Sequence, residues 1–168
     1  MKIGLISDTH SYIDERILHH LQGCDEIWHA GDIGALEVTN ELRTVAPLRA
    51  VWGNIDGREI RQEFPEQQWF ECEGKKIWMT HIGGAPPRYN PAVRPLLKEK
   101  KPHIFICGHS HILRVVQDPT FDVLYLNPGA AGKHGFHKMR TMLRFSIESG
   151  AVKDMQVIEL GLRAKQDL

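Results

Sequence analysis

The amino-acid sequence predicts an α/β protein built on a pair of mixed β-sheets, with the later strands antiparallel and the helices outside. Three observations predict it. Short apolar runs alternate with amphipathic segments through the first third of the chain. The later part is dominated by paired apolar runs joined by Glu-Gly, Asp-Pro or Ser-Gly turns. A length of 168 residues with 42% hydrophobic and 25% charged residues is ordinary for one soluble domain, here spanning 1–168.

Each element has its own signal. "KIGLIS" is a buried strand. "DERILHHL", over about 14–21, places Ile17, Leu18 and Leu21 on one helical face, with Asp14 as its cap. "EIWHAGD" is the second strand, "LEVTNELRTVA" the second helix and "LRAVWGN" the third strand, so this half is a parallel βαβαβ unit. "QQWFECEGKKIWMTH" is a hairpin turning at Glu73-Gly74. "PAVRPLLKEKK" is a helix in which Pro95 marks either a kink or the true start. "HIFICG" is a short buried strand. "LRVVQDPTFDVLYLNPG" and "TMLRFSIESGAVKDMQVIEL" are hairpins, and the closing "RAKQDL" is expected to fray. Trp28, Trp52, Trp69 and Trp78 fall in strands and are expected in the core.

Totals exclude several function classes. The 21 basic and 21 acidic residues cancel, which argues against a broad nucleic-acid footprint. No apolar run reaches the roughly 18 residues of a membrane span. Nor does "MKIGLISDTHSY" have the long apolar region of a signal peptide. Cys24, Cys72 and Cys107 are odd in number and lack metal-type spacing, so they read as reduced thiols of a cytoplasmic protein. Ten histidines are the outlying count.

The polar residues that end the strands direct attention to one region. Asp8 and His10 follow the first strand, Asp32 the second, Asn54 the third, His81 the first hairpin, and His109 and His111 the strand "HIFICG". Ligands of α/β sheets bind beyond the carboxyl ends of strands. An all-oxygen and nitrogen set suits manganese, iron, zinc or nickel rather than soft-metal sites. Seven ligands are too many for one ion with open positions, but suit two ions sharing a carboxylate, the arrangement used for in-line attack at phosphorus. Asp32 is the natural shared ligand, on the reasoning that bridging draws on both carboxylate oxygens. Gly31, Gly53 and Gly108 permit sharp turns there.

"DTH", "GD", "GNID", an isolated "TH" and "GHSH", in this order, resemble the calcineurin-like metallophosphoesterase superfamily. The small size and "NPG" are similar to its compact YfcE-type phosphodiesterase branch, over about 2–130. That resemblance implies a sandwich of two mixed β-sheets flanked by helices, with the metal site at the carboxyl ends of the strands. It implies two divalent metal ions, manganese being expected first. One ion would take Asp8, His10, Asp32 and His111. The other would take Asp32, Asn54, His81 and His109. A hydroxide bridging the ions would attack a small-molecule phosphodiester substrate, with Asp32, Asn54 and His109 at the catalytic centre. A homodimer is compatible with the branch. The other readings are a phosphomonoesterase or nuclease of the superfamily, and a silent scaffold resembling the small retromer subunit.

Simpler roles compete for individual residues. Asp32 could cap the following helix, His81 could be a satisfied core histidine, and "NIDG" could be only a turn. His29 could be packed or lie behind a ligand. Many superfamily members carry a histidine general acid after the motif asparagine, whereas this chain has Ile55. The loop "GKHGFHKMR" could supply substrate contacts through His134 or His137. Pocket walls are expected around Ile55, Gly57-Arg58, Pro86–Tyr89 and Lys133–His137.

Overall fold

A computed structural model describes residues 1–164; the expected fraying of "RAKQDL" falls, from 165 onward, outside the described residues. In the first sheet, β1 (Lys2–Ile6), β2 (Glu26–His29) and β3 (Leu48–Ala50) run parallel. On the other side of β1, the antiparallel pair β11 (Met139–Glu148) and β12 (Ala151–Leu162) completes the order β12-β11-β1-β2-β3. The second sheet has parallel β5 (Lys75–Thr80), β8 (Ile104–Ile106) and β10 (Val123–Pro128), with antiparallel β4 (Gln67–Cys72) and β9 (Leu113–Asp118) at its edges. The expected pair of mixed sheets is therefore present.

Alternation along the strands sets the layers. Ile3, Leu5, Trp28 and Val51 of the first sheet pack between the sheets with Ile77, Met79, Ile104, Ile106 and Leu126 of the second. Each such side chain contributes roughly 1.5–3 kcal/mol when fully buried. Ile6 and Ile27 face the other way, toward α1 (Glu15–Leu21) and α2 (Leu36–Arg43), whose Ile17, Leu21, Val38 and Leu42 are fully buried. The outer face of the second sheet packs Trp78, Phe105 and Tyr125 against Leu97 of α4 (Arg94–Lys100). Layers thus run helix, sheet, sheet, helix.

Helix ends follow local chemistry. Asp14 caps α1 by accepting from the Ile17 amide at 2.9 Å, as expected. Pro95 sits in the first turn of α4 and marks its start rather than a kink. Two features depart from the sequence reading. α3 (Arg58–Glu63) is too short for a periodic signal and buries only Ile60. β6 (Gly84–Ala85) and β7 (Arg88–Tyr89) form a two-stranded ribbon around the cis Pro86-Pro87 bond, where a plain loop was expected.

Two tryptophans also correct the expectation. Trp69 is exposed on the edge strand β4, stacked on buried Trp78 with ring centroids 4.5 Å apart. Trp52 lies beyond β3, half-buried under the Arg61 guanidinium 4.0 Å from its ring centroid. Edge position and the cation-π contact let both rings stay partly wet. The three cysteines are free and buried, as expected.

Candidate metal centre

The carboxyl ends of β1, β2, β3 and β8 open onto one cleft of about 500 Å³, and His81, at the end of β5, is buried against Asp32. Backbone bonds hold their loops together. Asp8 donates to Gly31 O at 2.9 Å, His10 to Asp32 O at 3.0 Å, and Gly108 to His81 O at 3.0 Å. The loop after β10 joins them, because Ala131 donates to Ser7 O and Gly132 to Asp8 O.

Two groups of side chains capable of holding a metal ion result. Asp8, His10 and His111 form one, and Asp32, His81 and His109 the other. The resemblance implies Asp8, His10 and His111 on one side and His81 and His109 on the other; here Asp32 falls with the second group alone. Asn54 adjoins the second group, its Oδ1 lying 3.0 Å from His109 Nδ1. His109 and His111, two residues apart in sequence, therefore face different groups.

Each carboxylate has one oxygen anchored and one offered. Asp8 Oδ2 accepts from Ser7 Oγ at 2.7 Å and the His109 amide at 3.1 Å. Asp8 Oδ1 lies 3.1 Å from His111 Nε2 and 3.8 Å from both His10 and His81 Nε2. Asp32 Oδ1 accepts from the Ile55 amide at 3.1 Å. Its Oδ2 lies 3.4 Å from His10 Nε2 and 3.2 Å from His81 Nε2. One oxygen of Asp32 thus faces histidines of both groups while the other is held by backbone.

Asp32 does not cap the following helix. Ala35 occupies that position. His81 donates from Nδ1 to Ala30 O at 2.7 Å, which fixes the tautomer and leaves the Nε2 lone pair toward Asp32. Asp8 Oδ1, His10 Nε2 and His81 Nε2 are buried without a hydrogen-bond partner. Converging unpartnered donors of this kind fit a divalent cation.

The electrostatics follow from that convergence. Burial alone would raise the Asp8 and Asp32 carboxyls. The facing histidines outweigh it and hold both well below the usual carboxylate range. The facing Asp32 and then Asp8 carboxylates raise His10 to about 9, against the lowering effect of burial. Burial would lower His81, but the Asp32 and Asp8 carboxylates beside it raise it.

Backbone strain is concentrated here. Asp8, His10, Asp32, His109 and His111 have φ between 45° and 70°. Such left-handed non-glycine residues cost on the order of 1–3 kcal/mol each and cluster at functional sites. Close approach also requires glycine at position 108, where a Cβ would lie 2.1 Å from Ser7 Oγ and 2.7 Å from Asp8 Oδ2.

His134 and His137 both line the cleft. The exposed His134 ring stacks on His10 with centroids 4.7 Å apart. His137 is tied back by Nε2 to Gly132 O at 2.9 Å and packs edge-on to His111, so it supports a ligand more than it reaches outward. Ile55 lines the cleft as expected. Gly57-Arg58 and Pro86–Tyr89 do not, and Lys133 lies instead over Tyr12.

Three contributors were not legible as such, and His29 takes the place behind the ligands that the sequence allowed. Asp56, read as part of a turn, is 3% exposed and accepts from the Ile33, Gly34 and Gly53 amides. It thereby joins the loops carrying Asp32 and Asn54; an Asp-Gly pair signals a turn strongly enough to mask that role. Ser7 and Asn127 orient Asp8 and the Gly108–Ser110 turn. His29 is fully buried, accepts from the Gly31 amide and bonds to Thr9, and burial lowers it to about 4.

Comparison with known proteins agrees with this geometry. Residues 1–150 match the model of the calcineurin-like phosphoesterase superfamily domain. A probable metallophosphoesterase of Methanothermobacter thermautotrophicus is 34% identical over 137 residues, covering 77% of each chain. Among solved structures, a novel archaeal phosphodiesterase superposes with a TM-score of 0.76 at 24% identity, covering 95% of this chain and 99% of that one. Wild-type Vps29 of Entamoeba histolytica, complexed with zinc, superposes with a TM-score of 0.73 at 20% identity, covering 96% and 100%. The last two likenesses concern the fold; the match over most of the chain places this protein in the calcineurin-like phosphoesterase superfamily.

Proposed function

We propose that the chain is a metal-dependent phosphodiesterase acting on small phosphodiesters through two divalent ions, manganese first among them. One ion would be held by Asp8, His10, Asp32 and His111, the other by Asp32, Asn54, His81 and His109. The single supporting observation is the position of Asp32 Oδ2, within 3.4 Å of histidine nitrogens from both groups. Ions held there would supply Lewis acidity, activating a water and neutralising charge on the phosphoryl oxygens. The chain's own residues do the rest. Ile55 fixes the Asp32 carboxylate through its amide, and His109 stands at the exposed mouth of the site beside Asn54. His134 contacts the ester from the cleft wall, with His137 bracing His111 behind it. Because the Ile55 side chain has no proton to give, leaving groups of low pKa are favoured. The three buried free thiols support a reducing, cytoplasmic compartment.

The test is hydrolysis of bis(p-nitrophenyl) phosphate by chelator-stripped protein before and after Mn²⁺ addition. Activity that depends on metal and exceeds that on p-nitrophenyl phosphate and on single-stranded DNA supports the reading. A preference for the monoester or for DNA favours the monoesterase or nuclease instead. The fold likeness to Vps29 favours the scaffold as second reading. Since that structure holds zinc, metal content does not separate scaffold from enzyme; absence of all hydrolysis at full metal loading does.

A further inference from the structure

The buried residues of the cleft are polar, but its exposed wall mixes polar and apolar side chains. Among the described residues, Ile112 at 65% and Phe136 at 102% are the most exposed large apolar side chains, and both line this cleft together with Ile55 at 46%. They come from three separate segments: the one after β3, the one after β8, and the one between β10 and β11. Single exposed apolar residues are unremarkable, but several gathered around one cavity mark a binding surface. Two flat rings stand on the last segment, Phe136 and His134, with Gly135 between them at φ +128°. The two isoleucines add aliphatic surface to the same cleft. A phosphoryl group alone would need none of this, since carboxylate, imidazole and metal recognise only its charge.

Resting on the phosphodiesterase reading, we propose that the site is selective for diesters carrying a flat aromatic group, aryl or nucleobase, on the ester that is not cleaved. Phe136 and Ile112 are the specificity-determining contacts. The π face of Phe136 gives stacking preference over saturated groups, and aliphatic walls exclude water around it.

The experiment compares four p-nitrophenyl diesters whose second ester is phenyl, thymidine 5′, methyl or hexyl. All release p-nitrophenolate, so the leaving step is shared. Substitution of both contacts, Phe136→Ala with Ile112→Ala, is expected to lower the phenyl-to-methyl ratio of kcat/KM at least tenfold, about 1.4 kcal/mol. The phenyl-to-hexyl ratio is expected to fall as well. Because Phe136 is fully exposed, Phe136→Ala alone keeps the test open should the double variant fold poorly. A thymidine ester that behaves like phenyl identifies a nucleobase as a natural occupant, and one that behaves like methyl restricts the class to simple aryl esters. Ratios unchanged by the substitutions, or a hexyl ester favoured as strongly as phenyl, would overturn the proposal. Calorimetric binding of phenylphosphonate against methylphosphonate, which cannot be hydrolysed, separates the two readings. Diesters cleaved without ring preference sink the selectivity alone. No cleavage, with phenylphosphonate still bound tenfold tighter, sinks the hydrolase reading alone.

Discussion

The Ile55 amide donates to Asp32 Oδ1 across 3.1 Å, while the Ile55 side chain lies 46% exposed at the cleft. Backbone and side chain at this position therefore have separable effects. Ile55→His keeps the amide and adds a proton donor. It is expected to raise kcat on alkyl phosphodiesters by about 10²-fold, within the range of general acid catalysis. The rate on p-nitrophenyl diesters should change little. Equal gains on both substrate types would contradict the missing-acid explanation.

Asp32→Asn keeps the shape of the side chain but removes its charge. The expected loss is roughly 10³-fold or more in kcat/KM, because both groups of ligands lose their shared anion. Elemental analysis should find fewer than two ions per chain. Asp32→Asn protein that keeps both ions would refute the sharing.

Protonation adds a pH dependence that metal should abolish. Without metal, His10 titrates at about 9, raised from 6.5 by Asp32 and then Asp8. A raised group stabilises the fold fully below its unfolded pKa, and that contribution is lost as pH rises through its folded pKa. The Tm in chelator should thus fall between about pH 6.5 and 9, and His10→Gln should flatten this slope. On the acid side, the depressed Asp8 and Asp32 contribute above 3.8 and lose that contribution as pH falls. Metal affinity should climb over the alkaline window, since an ion must displace the histidine protons.

Asp56→Asn tests the hidden carboxylate. Its three amide donors would face an amide that can accept at only one atom. A cost of roughly 3 kcal/mol is expected from the lost charge-assisted bonds. That corresponds to a Tm lower by about 6–12 °C for a chain of this size. Weaker metal binding should accompany it. A Tm within 2 °C of wild type, approximately, would show that these bonds do not tie the loops.

His109→Gly probes the strain. His109 is exposed with φ 70°, a conformation glycine adopts freely. Metal-free protein should keep its stability or gain up to about 1 kcal/mol, even as the second group loses a ligand. Urea melts in chelator decide this, with a clear loss of stability opposing it.

Much of this site was legible because β-strands end abruptly in this chain. Asp8, Asp32, Asn54, His81, His109 and His111 each follow a buried apolar run, so their convergence follows from strand direction alone. What stayed hidden depends on partners distant in sequence. β1 sits between β2 and β11, a placement no local pattern encodes. Asp56 is a turn residue by sequence and an anchor only once the Gly31–Gly34 loop lies beside it. Trp69 has the alternation of a core strand but belongs to an edge. α3 is a single short turn of helix whose one buried residue leaves no periodic trace.

The ligand set is drawn from both halves of the sandwich. Asp8, Asp32 and Asn54 follow strands of the first sheet, and His81, His109 and His111 follow strands of the second. Bound ions would act as rivets through two leaves otherwise joined by an apolar interior and a few hydrogen bonds at the loops. Small slippage of one leaf over the other would then register at the rivets before it registered as unfolding. A cavity cut far away in the shared interior, such as Met79→Ala, should loosen metal binding without touching a single ligand.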